Sequence, residues 1–435
     1  MHLMKNGLLA LGLVLASLPA YAKDTLVILS PHRKSIQDEY VPAFVEYYKK
    51  TFKTDVQVDW LDQGGTSDDV RFIRAKFGSN PKSSGVDLFW GGGTSVFVDL
   101  QKANFLAQYK LPKELKAQIP DNASGVPLYD KTETWYASAS SSFGMFFNKK
   151  IMKFDGIPDP KSFRDLAGPA YLGNISLSDP RRSGTANTMN AIILQTEGWV
   201  KGWELLHELA GNTRTFTHSS SDPIKAVVSG DVTMAMAIDF YALAKIGDLG
   251  SENLGFTLPT GQAVLDPDPI AILKGAPNRK VAERFVDYVL SVEGQKLLIL
   301  PKGVPGGPKT ASLGRMSVNT EAYKETEGKR IYKLNPFSQK GFIRLDIEKA
   351  AKLQRVFNDM TGALLVDTHD DLKKAWTKII KAKNVDQAKV AEFGKVPLSE
   401  DEFYKLAEKW DDEVFRNQTI NSWVTFAKTK YKAVQ

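Results

Sequence analysis

Ser183-Gly184-Thr185, preceded by two arginines and followed by a stretch with helical spacing, is the kind of segment that can hold an anion. Backbone N–H groups at a helix start, two hydroxyls and the positive end of the helix dipole would suit a phosphate or carboxylate. Arg181 or Arg182 would turn toward that anion, with Asp179 holding one of the pair in place. The same residues also make an ordinary helix cap, and the segment alone does not separate the two readings. A second cluster, Ser30-Pro31-His32-Arg33-Lys34, follows an apolar run, and His32 and Arg33 could clamp an anion there. Gly91-Gly92-Gly93-Thr94 would let backbone N–H groups approach a ligand closely, or would simply make a tight turn. Thr217-His218-Ser219-Ser220-Ser221 reads as a capping turn or as a second group of donors.

Composition narrows what such clusters could do. The 435-residue chain has no cysteine and five histidines, so a thiol nucleophile, a disulfide framework, cysteine-ligated zinc and an iron–sulfur cluster are excluded. HExxH, GxSxG and GxxxxGK[ST] motifs are absent, and neither a metal nor a cofactor is expected. Of the net charge of +7, Lys5 carries one and residues 311–435 carry five, which leaves one for residues 23–310. The basic excess therefore says little about a ligand held by the rest of the chain. Its lysines are mixed with acids as on a solvated helical surface, and no nucleic-acid partner is expected.

The elements that would position these clusters follow from periodicity. Residues 1–22 read as an export signal: Lys5, an apolar run from Gly7 to Ser17, and Ala20-Tyr21-Ala22 as the cleavage site. That run is shorter than the roughly 20 residues that span a bilayer, and no cysteine stands at the cleavage point for a lipid anchor. A protein free in the periplasm is expected. Residues 25–30, 56–61 and 86–90 read as strands separated by helices at 35–50 and 68–77, which predicts an α/β sheet with the loops at 30–34, 62–67 and 91–95 on one edge. From Trp135 the pattern restarts as a second α/β unit, with strands near 142–148, 175–177, 215 and 232–238. Beyond a Gly/Pro-rich loop at 301–308 the chain is mostly helical, with candidates at 343–361, 370–382, 399–415 and 419–431.

Four features in order resemble the solute-binding proteins of ABC importers, in the branch related to ferric-ion and phosphorylated-sugar binding proteins. They are Val27 to Arg33; Val86-Asp87-Leu88-Phe89-Trp90-Gly91-Gly92-Gly93-Thr94; Trp135-Tyr136 followed by Phe143-Gly144-Met145-Phe146-Phe147-Asn148; and Leu290-Ser291-Val292-Glu293-Gly294-Gln295. The resemblance covers about residues 23–310. It implies a two-lobed periplasmic-binding-protein fold of type II with a ligand cleft between the lobes. Residues 23–130 and 265–310 are expected to form lobe 1 and residues 131–264 lobe 2. Residues 311–435 are expected to form a helical extension packed on lobe 1, with Trp410, Trp423 and Phe426 either in its core or on a partner-binding surface.

The resemblance also places Ser30, His32, Arg33, Gly92, Gly93, Thr94, Arg182, Ser183, Gly184, Thr185, His218, Ser219, Ser220, Asp239 and Tyr241 at the cleft. Ferric-ion binders of this branch carry adjacent tyrosines where this chain has Phe240-Tyr241, so their two-tyrosine site cannot form in the same way. Asp239 looks suited to accept hydrogen bonds from ligand hydroxyls. An anion-holding end and a hydroxyl acceptor together imply a sugar phosphate, inositol phosphate or related organophosphate. A monomer would close on this ligand and deliver it to a membrane permease, without chemistry on it. Ferric-iron capture, an exported phosphate-ester hydrolase and a sensory module remain as alternatives.

Overall fold

A computed structural model describes residues 23–434 apart from 333–334 and 339–340; the expected export signal lies outside the described residues. The first unit is built from β1 (Asp24–Leu29), α1 (Lys34–Phe52), β2 (Val56–Leu61), α2 (Thr66–Ser79), β3 (Leu88–Trp90), α3 (Thr94–Lys102) and a short α4 (Lys113–Lys116). β1 runs parallel to both β2 and β3. Its apolar sequence DTLVIL fits a strand covered on both faces, and Leu26, Ile28 and Leu29 are fully buried. A small hairpin of β4 (Asn122–Ala123) and β5 (Val126–Pro127) precedes the crossing.

The crossing strand is β6 (Tyr136–Asn148). Its first half pairs with β11 (Leu265–Ile272) and its second half with β9 (Met234–Ile238), so one continuous strand joins the two lobes. The strand was expected only from Ser142, because the serines before it, Ser138, Ser140 and Ser141, look like loop. They are buried, and Ser138 and Ser142 donate their hydroxyls to the carbonyls of Asp268 and Val264 on β11 and just before it. Serines can lie inside a two-sided sheet when a neighbouring strand accepts their protons.

The second lobe holds α5 (Lys149–Asp155), β7 (Ile175–Ser178), α6 (Gly184–Glu197), α7 (Trp199–Asn212), β8 (Thr213–Thr217), α8 (Asp222–Ser229), β9, α9 (Asp239–Leu249) and β10 (Leu254–Thr257). The sheet order is β2-β1-β3-β11-β6-β9-β7-β8, with β10 also on β6. β7 is parallel to β8 and β9, while β11 and β6 run antiparallel to their neighbours. Parallel strands send their outgoing loops to one edge, so the loops after β1, β2 and β3 face those after β7, β8 and β9. After β11 the chain returns to lobe 1 as α10 (Arg279–Leu290), α11 (Val292–Ile299) and α12 (Thr320–Glu325), with Leu313, Met316 and Val318 in the lobe 1 core.

The remaining helices are α13 (Ile347–Thr361), a π-helical turn at Gly362–Val366, α14 (His369–Ile380), α15 (Gln387–Gly394), α16 (Glu400–Ala407) and α17 (Glu413–Val434). These correct the expectation that the extension packs on lobe 1: most of it packs on lobe 2, and α13 alone among its helices lies broadly against lobe 1, on α3. Leu364, Trp376, Phe393 and Tyr431 share one core with Trp203, Leu206 and Leu209 of α7 in lobe 2. The reason lies in α7, whose residues from Gly202 to Asn212 are all buried; the sheet side covers one face, and the extension covers the other. Residues 311–332, with α12, belong to lobe 1, and Phe337 and Phe342 also pack against its core. Trp410 and Trp423 stack at 5.4 Å between ring centroids inside this core, as a buttress requires.

Trp376 is the key to this seam. It stacks on Phe393 at 5.2 Å, donates its indole N–H to Asn212 Oδ1 at 2.7 Å, and lies where a Cβ on Gly211 would be. Trp376→Ala is expected to lower stability by about 3–5 kcal/mol, read as a lower urea midpoint. A loss under about 1 kcal/mol would show that lobe 2 does not depend on the extension.

Candidate functional site

Six helix starts meet at the edge between the lobes: α1, α2 and α3 from lobe 1 and α6, α8 and α9 from lobe 2. Residues at or beside each start line one cavity of about 370 Å³, a volume suited to a small molecule. The N-cap residues of α1, α2, α3, α8 and α9 make no side-chain cap hydrogen bond, although Asp239 takes one N–H of α9. Their N-termini therefore bring partial positive charge and backbone donors to the same space.

On the lobe 1 side, His32 and Arg33 line the cavity, whereas Ser30 is fully buried behind them and its Oγ accepts from the His32 N–H at 3.2 Å. Gly92 and Gly93 line it with φ of 104° and 88°, a region that favours glycine, and a Cβ on Gly92 would strike Thr66 at 2.7 Å. Thr94 is turned away; its hydroxyl lies against Asp266 Oδ1 and the Pro267 carbonyl at 3.2 and 3.0 Å. On the lobe 2 side, Arg182, Gly184, Thr185, His218, Ser219 and Ser220 all line the cavity. Ser183 does not: it is the cap of α6, accepting from the Ala186 N–H at 3.1 Å, and its Oγ lies 2.8 Å from that of Ser220. Tyr241 lines the cavity with its ring beneath the Arg33 guanidinium.

The two arginines before α6 have different surroundings. Asp179 binds Arg181 through both carboxylate oxygens, and Asp367, just past the π-helical turn, binds the other side of the same guanidinium. Arg182 makes no ion pair among the described residues and stands at the cavity.

Asp239 departs from expectation. Its side chain is not part of the cavity wall; it is 2% exposed, Oδ1 accepts from the Phe240 N–H at 2.7 Å, and Oδ2 has no partner among the described residues. The cause is local: at the first position of α9 the carboxylate folds back on the N–H of the next residue. Burial pushes its pKa up to about 7, so it is largely protonated below neutrality.

The site's charged centre, Asp268, was not among the residues expected at the cleft. Asp268 lies on β11; His32 Nε2 is 2.7 Å from its Oδ2, Gly92 N–H donates to Oδ1 at 3.1 Å, and Arg315 Nη1 donates to Oδ2. Burial opposes ionisation of Asp268, but Arg315 and then His32 outweigh it and hold the carboxyl well below its usual range. Burial lowers the His32 pKa despite Asp268, which favours a neutral ring. Asp266, two residues earlier and on the cavity wall, is pushed up to about 7 by burial and by Asp268. Asp266-Pro267-Asp268-Pro269 was the available signal: two prolines inside a strand, with a register shift at 268/269, mark an irregular place. Arg315 sits in a loop with no pattern to expose it.

Asp239 allows a pH test. An unfolded aspartate ionises near pH 4, but the folded one retains its proton until about 7. The native state thus binds more protons between those values, and Asp239 costs progressively more stability as pH rises from about 4 to 7. Asp239→Asn removes that cost. The stability of the variant relative to the parent is expected to climb across this range and level off above it, in urea titrations at several pH values. A pH-independent difference would show that Asp239 is not buried in this way.

Residues 84–317 match the bacterial extracellular solute-binding protein family. The chain is 28% identical over 298 residues to the phosphoglycerate transport regulatory protein PgtC of Salmonella typhimurium, covering 67% of this chain and 70% of that one. It is 21% identical over 299 residues to iron uptake protein A1 of Synechocystis, covering 63% and 77%. Among solved structures it is similar to the periplasmic binding protein AfuA of Actinobacillus pleuropneumoniae with fructose-6-phosphate bound, at a TM-score of 0.61 and 22% identity, covering 83% of this chain and 100% of that one. Iron-bound HitA of Pseudomonas aeruginosa gives a TM-score of 0.58 at 18% identity, covering 78% and 99%. These likenesses carry the fold expected from the sequence. The chain belongs to the bacterial extracellular solute-binding protein family and has the two-lobed type II fold of periplasmic binding proteins.

Proposed function

We propose that this protein captures a small anionic, hydroxylated ligand between its lobes and delivers it to an ABC permease, the ligand being a sugar phosphate, inositol phosphate or related organophosphate. One observation carries the reading: Arg33 from lobe 1 and Arg182 from lobe 2 face one cavity, and neither has a carboxylate partner among the described residues. A phosphate between them would satisfy both through charge-assisted hydrogen bonds, with the start of α6 and the hydroxyls of Thr185, Ser219 and Ser220 completing its shell. Because its contacts come from both lobes, the ligand stabilises the closed form over the open one.

Asp266 takes the role first expected of Asp239. It lines the cavity beside the start of α3, so it can accept from ligand hydroxyls. Asp268 is already engaged by His32, Arg315 and the Gly92 N–H, which leaves its carboxylate poorly suited to a ferric ion. The phosphorylated compounds in the names of PgtC and AfuA point in the same direction.

Calorimetric titration with 3-phosphoglycerate, fructose 6-phosphate, fructose, inorganic phosphate and ferric citrate tests the proposal. Binding is expected with a phosphate ester and not with fructose. Arg182→Ala is expected to weaken it by roughly 10- to 100-fold, since a hydrogen bond to a charged group contributes about 1.5–3 kcal/mol. Asp266→Asn is expected to reduce the preference for the ester over inorganic phosphate. Binding of ferric citrate alone, or release of inorganic phosphate from the ester, would overturn the reading.

A further inference from the structure

Both arginines that reach the cavity from lobe 1 rest on lobe 2 rings. The Arg33 guanidinium carbon lies 3.3 Å from the Tyr241 ring centroid, and that of Arg315 lies 3.9 Å from the Phe240 ring centroid. Arg33 precedes α1, and Arg315 belongs to the stretch that packs with Leu313 and Met316 into the lobe 1 core. Phe240 and Tyr241 form the first turn of α9 in lobe 2 and touch one another edge to face at 4.2 Å. These four side chains line the ligand cavity and also a second chamber of about 200 Å³ behind it, so together they make the wall between the two spaces.

We propose that Phe240 and Tyr241 are positioning residues that assemble the cationic side of the site on closure, each ring taking one lobe 1 arginine. The geometry explains how an arginine can stand in this cavity before a ligand arrives. Arg33 has no carboxylate partner among the described residues, and a guanidinium withdrawn from water needs another source of negative potential. The face of a tyrosine ring supplies it without neutralising the charge, so the cation stays available to an anion. Arg315 is anchored to Asp268 on its own lobe, and the Phe240 ring covers its other face. When the lobes part, both rings leave with α9, Arg33 returns to water and the wall between the chambers opens. The arginines thus link ligand affinity to closure through contacts that the ligand itself does not make. The device rests on the anion-binding reading for its ligand, and on the two lobes alone for its closure.

The test separates those two layers. Small-angle scattering of the ligand-free protein is expected to give a larger radius of gyration for Tyr241→Leu and Phe240→Leu than for the parent. Tyr241→Phe, which keeps the ring, is expected to recover the compact scattering. Arg33→Lys, which keeps the charge but loses the planar stack, is expected to behave like Tyr241→Leu and serves if that variant does not fold. Affinity for whichever of 3-phosphoglycerate and fructose 6-phosphate binds the parent is expected to fall about tenfold in Tyr241→Leu. Scattering of Tyr241→Leu and Arg33→Lys that is indistinguishable from the parent would overturn the proposal. Altered scattering with neither phosphate ester bound by the parent would support the latch and strike the ligand reading instead.

Discussion

Asp268 is 7% exposed, Arg315 and His32 hold its carboxyl well below the usual range, and compensating that buried charge fixes much of the surrounding geometry. An isolated buried carboxylate would protonate; this one does not because a guanidinium, an imidazole and a backbone N–H close on it from three segments far apart in the chain. His32 must enter from the loop after β1, and its ring occupies the place where a Cβ on Gly91 would lie, at 2.6 Å from Nε2. The glycine run that follows β3 is thereby explained twice, by a neighbouring ring and by a donor to the same carboxylate. Arg315 draws the chain back to the cleft after α11, which is why residues 311–332 stay with lobe 1 although most of the helices beyond them pack on lobe 2.

The cost of that arrangement falls on the nearby acids. Asp266 shares the strand and the cavity with Asp268, and a second ionised carboxylate there is disfavoured by burial and by like charge, so it holds its proton close to neutrality. Two carboxyls two residues apart on one face of β11 thus differ in kind: Asp268 is a structural counter-ion, and Asp266 is a hydrogen-bonding group available to the cavity. Their shared face follows from the period of a strand, while the intervening Pro267 has no backbone N–H to donate.

Much of the fold could be read along the chain, because apolar runs and helical spacing are local properties. The edge carrying the site could be read for the same reason: loops that follow parallel strands share a side, and His32, Arg33, Gly92, Gly93, Arg182, Gly184, Thr185, His218, Ser219 and Ser220 all line the cavity there. Side-chain direction was not legible. Ser30, Ser183 and Thr94 lie in the expected loops but turn inward to bind backbone or neighbouring side chains, and Asp239 folds onto its own helix start. Arg315 and Asp268 meet across 47 residues, and no spacing rule reaches that far. The mounting of the extension on lobe 2 was in principle visible in α7, where Trp203, Leu205, Leu206, Leu209 and Ala210 spread around more of the helix than one sheet can cover.

The adjacent arginines before α6 connect that extension to the site. Arg181 is neutralised by Asp179 and Asp367 together, so it adds little field to the cavity; its contribution is mechanical. It also fills the space over Gly362, where a Cβ would lie 2.6 Å from its Nε, so a larger residue at the start of the π-helical turn would displace it. The loop carrying Arg182, Gly184 and Thr185 is therefore clamped from behind by the extension while its front faces the ligand space. A loop held in this way has less freedom to lose on binding, which favours affinity without any added contact. Arg181 thus couples the helical extension to the loop before α6, and because α13 also lies against α3 of lobe 1, the extension touches both sides of the cleft.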